Sequence, residues 1–214
     1  MTAVQLQEPS VRGLALRRSR LLNRLTIAWN LAEGVVAMAA GVLAGSTSLV
    51  GFALDSAIEV SAAVILTWRL AKESRLGCMA DFDRRATRLI AVSFALLVVY
   101  VGFESISDLM GRSGPEVSTV GIVLAAVSLV VMPVLARAKR RLGPVLGSQA
   151  AVSEANQTRL CALLSAVLLL GLGLNAALGW WWADPTAGLF IAGLAAVEAM
   201  RTWRAEALAD TCCG

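Results

Sequence analysis

The feature that most constrains the fold of this chain is a series of six apolar stretches, each about as long as a membrane-spanning helix. A helix rises about 1.5 Å per residue, so roughly 20 apolar residues cross a hydrocarbon core of about 30 Å. The stretches occupy residues 25–43, 49–70, 89–110, 120–136, 152–178 and 186–203. They are rich in Leu and Ala and lack the strict alternation of a membrane barrel. We therefore predict an all-α fold class, a polytopic membrane protein built as a six-transmembrane-helix bundle.

The composition excludes an ordinary soluble domain, because 57% of the residues are hydrophobic and only 16% are charged. We expect a basic N-terminal arm at 1–24, the six-helix transmembrane domain at 25–204, and a short tail at 205–214, with the arm and the tail in the cytoplasm. The net charge of +4 comes from arginines at helix ends, where lipid headgroups lie. The expected partner is therefore the lipid bilayer and not a nucleic acid.

Basic residues are concentrated on one side of the predicted bundle. They precede helix 1, join helices 2 and 3, and follow helices 4 and 6, at Arg12, Arg17, Arg18, Arg20, Arg24, Arg69, Lys72, Arg75, Arg84, Arg85, Arg88, Arg137, Lys139, Arg140, Arg141, Arg201 and Arg204. The opposite loops contain Arg112 alone. Because cytoplasmic loops retain positive charge, we expect a multi-pass protein of the plasma membrane with both termini in the cytoplasm.

Two acidic residues lie inside the second stretch, where a charged side chain is unfavourable. Asp55 and Glu59 are four positions apart, so a helix places both carboxylates on one face. A carboxylate at the bilayer centre costs roughly 2.5–3.5 kcal/mol on insertion scales, and such residues usually face an interior cavity and have a function. Repulsion between the two is relieved only when a cation or protons occupy the site, and two oxygen ligands at this spacing suit a divalent cation.

A second polar face lies in the fifth stretch, where Gln157 and Cys161 repeat the four-residue spacing. Counting about 1.5 Å per residue from the helix ends places this pair and the acidic pair at similar depth near the membrane midplane. The predicted site for a transported cation therefore consists of Asp55, Glu59, Gln157 and Cys161. Secondary candidates are Glu154, Thr158 and Glu33. Gln157, Thr158 and Cys161 taken alone are more often packing residues than ligands, and Glu33 equally fits an interhelical hydrogen bond.

Local signals at two helix starts have a structural interpretation. Ser46 or Thr47 is expected to cap helix 2. Asp184, followed by Pro185, has the order expected of an N-cap and a first helical turn for helix 6.

Several motifs resemble the transmembrane domain of the cation diffusion facilitator, or cation efflux, family. They are Gly45-Ser46-Thr47-Ser48-Leu49, Asp55-Ser56-Ala57-Ile58-Glu59 and Ala183-Asp184-Pro185-Thr186-Ala187-Gly188-Leu189. The resemblance covers nearly the whole chain and implies six spans, cytoplasmic termini, a homodimer and exchange of a divalent metal, often zinc, for protons. The family's transport site has two ligands four apart on helix 2 and a His-x-x-x-Asp pair on helix 5. At the positions of that second pair, this chain has Gln157 and Cys161.

We therefore expect a membrane transporter that moves a divalent metal cation, zinc or a similar ion, by proton-coupled antiport or efflux, with protons returning through the same acids. No cofactor is expected. The glutamine and cysteine leave a second interpretation open, a non-transporting partner-binding or sensory membrane protein derived from the transporter fold. An enzyme is not expected, because the sequence offers no convincing nucleophile and base, phosphate-binding loop or cofactor motif.

Overall fold

The computed structural model describes residues 9–76, 80–112, 114–146 and 149–208, and it folds these residues into six α-helices without strands. The helices are α1 (Pro9–Ala44), α2 (Thr47–Leu76), α3 (Ala80–Gly111), α4 (Thr119–Leu146), α5 (Gln149–Leu178) and α6 (Ala183–Leu208). Each contains an apolar segment long enough to cross a membrane. For the described part of the chain, the predicted all-α membrane bundle is therefore confirmed.

The helices extend well beyond the apolar stretches at one end of the bundle. The first helix begins at Pro9, where a proline is tolerated because the first turn needs no backbone donor. Residues 9–24 of the predicted N-terminal arm are thus the opening turns of α1, and Arg17, Arg20 and Arg24 are exposed there. Cys78, Cys212 and Cys213 lie outside the described residues.

A tight turn at Gly45 joins α1 to α2. Gly45 has a φ of 63°, and the Ser46 amide donates to the Gly41 carbonyl oxygen at 2.9 Å. This is the Schellman pattern, in which a left-handed glycine ends a helix. The Leu49 amide then donates to Ser46 Oγ at 3.2 Å, so the predicted cap of helix 2 by Ser46 is confirmed.

Helix α2 lies at the centre of the bundle, in contact with α1, α3, α5 and α6. The other extensive pairings are α3 with α6 and α4 with α5. Large apolar side chains, among them Phe52 of α2, Met132 of α4 and Leu168 of α5, fill the interior and are fully buried. Others such as Leu96 and Phe103 of α3 are exposed, which fits a surface that faces lipid. The acids of α2 are thus carried on the helix with the most neighbours.

Candidate functional site

The two acids of α2 point into the bundle. Asp55 is 3% exposed and Glu59 is 1% exposed, one turn apart on the same helix. Burial of both carboxylates is explained by the position of α2 between α1, α5 and α6. Neither acid faces lipid, which agrees with the rule that ionisable residues inside a membrane face the interior of the bundle.

A third carboxylate reaches the same region from α1. Glu33 is 1% exposed, in the same buried interior as Asp55 and Glu59. It accepts hydrogen bonds from Ser56 Oγ of α2 at 3.4 Å and from Ser128 Oγ of α4. Glu33, Asp55 and Glu59 are hereafter called the acid cluster. The interhelical hydrogen bonding predicted as one role for Glu33 is present, and through Ser56 it reaches the residue next to Asp55 on α2.

Helix α5 supplies the opposite wall of the acid cluster. Thr158 is fully buried, and its Oγ1 donates to Glu59 Oε1 at 2.7 Å. Cys161, 1% exposed, lies in the same buried core one turn further along α5. The face of α5 that carries these residues therefore packs against α2 at the depth of the acids.

The other predicted residues of α5 are less buried than Thr158 and Cys161 or have side chains that the structure does not describe. Gln157 is half-buried, and the side chain of Glu154 lies outside the described residues. Arg159 is exposed, which agrees with a side chain that extends towards the membrane surface. The roles of Gln157 and Cys161 as ligands stay predictions.

The donor set of the acid cluster is rich in oxygen, with one thiol beside it. Carboxylate and hydroxyl oxygens suit hard divalent cations, and a thiol adds affinity for softer ones. Among the described residues, no three His, Cys, Asp or Glu side chains are arranged to hold a metal ion. A cation at the acid cluster would therefore need the side chains to move closer, or would take oxygen ligands such as Thr158 Oγ1 beside them.

One buried residue of the site was not predicted from the sequence. Lys139 of α4 is only 4% exposed, and its Nζ donates to Thr158 Oγ1 at 3.0 Å. In the sequence it stands among arginines at a helix end, so the pattern predicts one more cytoplasmic charge. Its burial depends on how α4 packs against α5, which the sequence of α4 alone does not indicate.

A second polar group lies at the N-terminal end of α2, about two turns before Asp55. Asp184 of α6 is fully buried; its Oδ1 accepts from Ser46 Oγ at 2.8 Å and from Ser48 Oγ. Nearby, Thr47 Oγ1 donates to Asp108 Oδ2 at 2.5 Å. We call these five residues the Asp184 group. The N-cap predicted for Asp184 was wrong, because Asp184 lies within the first turn of α6 and its carboxylate joins α6 to α2.

Comparison with known proteins identifies related chains. Residues 24–208 match the family model described as the cation efflux transmembrane domain. Transmembrane protein 163 of Xenopus laevis is 27% identical over 170 residues, which are 78% of this chain and 59% of that protein. The chain thus spans about 59% of the length of this relative. The family match covers α1 from residue 24, the other five helices, and both polar groups.

Proposed function

Because the chain belongs to the cation efflux family, we propose that it transports a divalent metal cation, zinc or a similar ion, through the acid cluster. The observation that carries the proposal is the burial of Glu33, Asp55 and Glu59 together in the interior of a membrane bundle. Ionised carboxylates buried in one interior repel one another in a medium of low dielectric constant. A cation bound among them would remove that repulsion, which gives the cluster a physical reason to exist.

The proposed transport cycle is alternating access with proton exchange. In this cycle the cation binds to Asp55, Glu59 and the facing atoms of α5, and movement of one group of helices against another exposes it to each side of the membrane in turn. When the cation leaves, protons take its place on the crowded acids. A proton gradient across the membrane would then drive export of the metal.

Topology and assembly are part of the same proposal. The concentration of basic residues on one side supports cytoplasmic termini, and six spans return the chain to the side on which it began. We propose a plasma-membrane location and a homodimer by analogy with the family. The exposed apolar faces of the helices offer surface for such contact as well as for lipid.

The direct test measures metal flux into vesicles. The purified full chain is reconstituted into liposomes that contain a metal-sensitive dye, and uptake of Zn²⁺, Co²⁺ and Mn²⁺ is followed for the parent chain, Asp55→Asn and Glu104→Gln. Glu104 is a half-buried carboxylate of α3 outside the acid cluster, so its replacement controls for loss of one intramembrane carboxylate. We expect Asp55→Asn to abolish uptake and Glu104→Gln to retain it.

Two results would contradict the proposal. If Asp55→Asn transports as fast as the parent chain at equal incorporation, the acid cluster is not the route. If the parent chain folds and inserts but moves none of the three ions, the alternative of a partner-binding or sensory membrane protein is favoured. Gln157 and Cys161, which stand where the family has a histidine and an aspartate, would then be the explanation for the missing transport.

A further inference from the structure

The basic end of α4 contains one residue that behaves unlike its neighbours. Arg137, Arg140 and Arg141 are exposed, whereas Lys139 is buried. Lysine is almost never buried unless its charge is compensated, because an ammonium loses its hydration shell on leaving water. The burial of Lys139 therefore needs an explanation in the anionic groups around it.

The Thr158 hydroxyl links Lys139 to the acid cluster. Lys139 Nζ donates to Thr158 Oγ1 at 3.0 Å, and the same Oγ1 donates onwards to Glu59 Oε1 at 2.7 Å. In these two bonds the hydroxyl accepts from the ammonium and donates its only proton to the carboxylate. The ammonium is thus held next to the carboxylate by a side chain of α5.

The charges of the site show what the ammonium contributes. In the cation-free state of the proposed cycle, protons occupy the other acids, and the ammonium of Lys139 offsets the one negative charge that remains on Glu59. Arrival of the cation places two further positive charges within a few ångströms of the ammonium, where like charges repel strongly.

We propose that Lys139 is the resident counter-cation of the acid cluster. Its ammonium offsets the charge of Glu59 in the cation-free state and is displaced when the transported cation binds. This inference rests on the proposed function, since it requires a cation to bind at the acid cluster. Lysine suits such a role because its ammonium is a compact charge on a flexible four-carbon stem. It can withdraw by rotation of the side chain while α4 stays in place.

Cation affinity of purified full-length variants is the first test. Lys139→Gln keeps a donor for Thr158 and removes the charge, Lys139→Arg keeps the charge, and Arg140→Gln removes an exposed charge from the next position of α4. Titration calorimetry with Zn²⁺ and Mn²⁺ should give at least about ten-fold tighter binding for Lys139→Gln, equivalent to about 1.4 kcal/mol. Lys139→Arg and Arg140→Gln should remain within about three-fold of the parent chain.

Amine labelling of the unmodified chain is the second test, and it does not depend on any variant folding. The sequence contains two lysines, Lys72 and Lys139, so each can be followed by mass spectrometry after a short pulse of an acylating reagent. Saturating Zn²⁺ should increase acylation of Lys139 at least about ten-fold, because displacement exposes the amine. Lys72 serves as the internal control and should not change.

The outcomes separate this inference from the proposed function. If the parent chain binds the cations but Lys139→Gln binds no more tightly and Lys139 acylation is unchanged or slower, the counter-cation is overturned and the transport site stands. If the parent chain binds no divalent cation, the proposed function is rejected, and the displacement of Lys139 with it. If Lys139→Gln does not fold, the labelling result alone decides.

Discussion

Gly171 of α5 marks a close approach to α6 and allows a quantitative test of the packing. A Cβ atom added at Gly171 would lie 2.6 Å from Ala187 Cβ and 3.2 Å from the Ala183 carbonyl oxygen. Carbon atoms in contact are about 3.5–4.0 Å apart, so Gly171→Ala requires the two helices to separate by roughly 1 Å. Neither an alanine Cβ nor a backbone carbonyl can rotate away to relieve the clash.

The expected magnitude follows from comparison with a second glycine of the same helix. Overpacking of this kind destabilises a core by about 1–3 kcal/mol. Gly173→Ala is the matched control, because a Cβ at Gly173 meets nothing within 4 Å, and both variants gain about 0.5–1 kcal/mol from replacing a helical glycine. At about 2–4 °C per kcal/mol for this chain length, Gly171→Ala should melt roughly 2–12 °C below Gly173→Ala.

The assay is thermal unfolding of the purified variants in one detergent, followed by far-ultraviolet circular dichroism. The double variant Gly171→Ala with Ala187→Gly removes the opposing methyl group, so it should recover most of the loss. Equal melting temperatures for Gly171→Ala and Gly173→Ala would refute the close approach of α5 and α6. Failure of the double variant to recover would show that the loss arises elsewhere.

Two further predictions concern buried polar groups and use the same unfolding assay. Ser48→Ala removes a buried hydrogen bond to Asp184, so it should lower the free energy of unfolding by about 1 kcal/mol. The control is Ser61→Ala on the exposed face of α2. Equal melting temperatures for the two variants would contradict the bond to Asp184. Asn30 has both side-chain polar atoms buried without a hydrogen-bond partner among the described residues. Asn30→Leu should therefore stabilise by about 1–3 kcal/mol, and a lower melting temperature would show that the amide is needed.

The fold could be predicted from the sequence because the membrane imposes a length on every span. Six apolar stretches gave six helices, and the match of residues 24–208 to the cation efflux transmembrane domain confirms the family resemblance read from the motifs. The inward direction of Asp55 and Glu59 also followed, since two acids four apart share a helix face and avoid lipid. These inferences need only the periodicity and hydropathy of single helices.

The parts of the site that were missed depend on pairs of helices. Lys139 carries the same local signal as Arg140, and only the packing of α4 against α5 turns one inwards and leaves the other exposed. The contact of Asp184 with Ser48 joins residues separated by 136 positions, so the local order that resembled an N-cap gave no sign of it. Ser128, which donates to Glu33 from α4, is one of many serines in the apolar stretches and has no distinguishing pattern.

An apolar layer separates the acid cluster from the Asp184 group. Leu49 and Phe52 lie between the two groups on α2, Leu164 and Leu168 lie beyond Cys161 on α5, and all four leucine and phenylalanine side chains are fully buried in one core. Their side chains offer no polar atom to a partly dehydrated ion. Under the proposed function, passage towards the Asp184 group therefore requires α2 and α5 to separate, as alternating access demands. In the other direction Thr158 of α5 and Lys139 of α4 follow Glu59, so under the proposed function an ion that entered from the basic end would meet the buried ammonium before the acids.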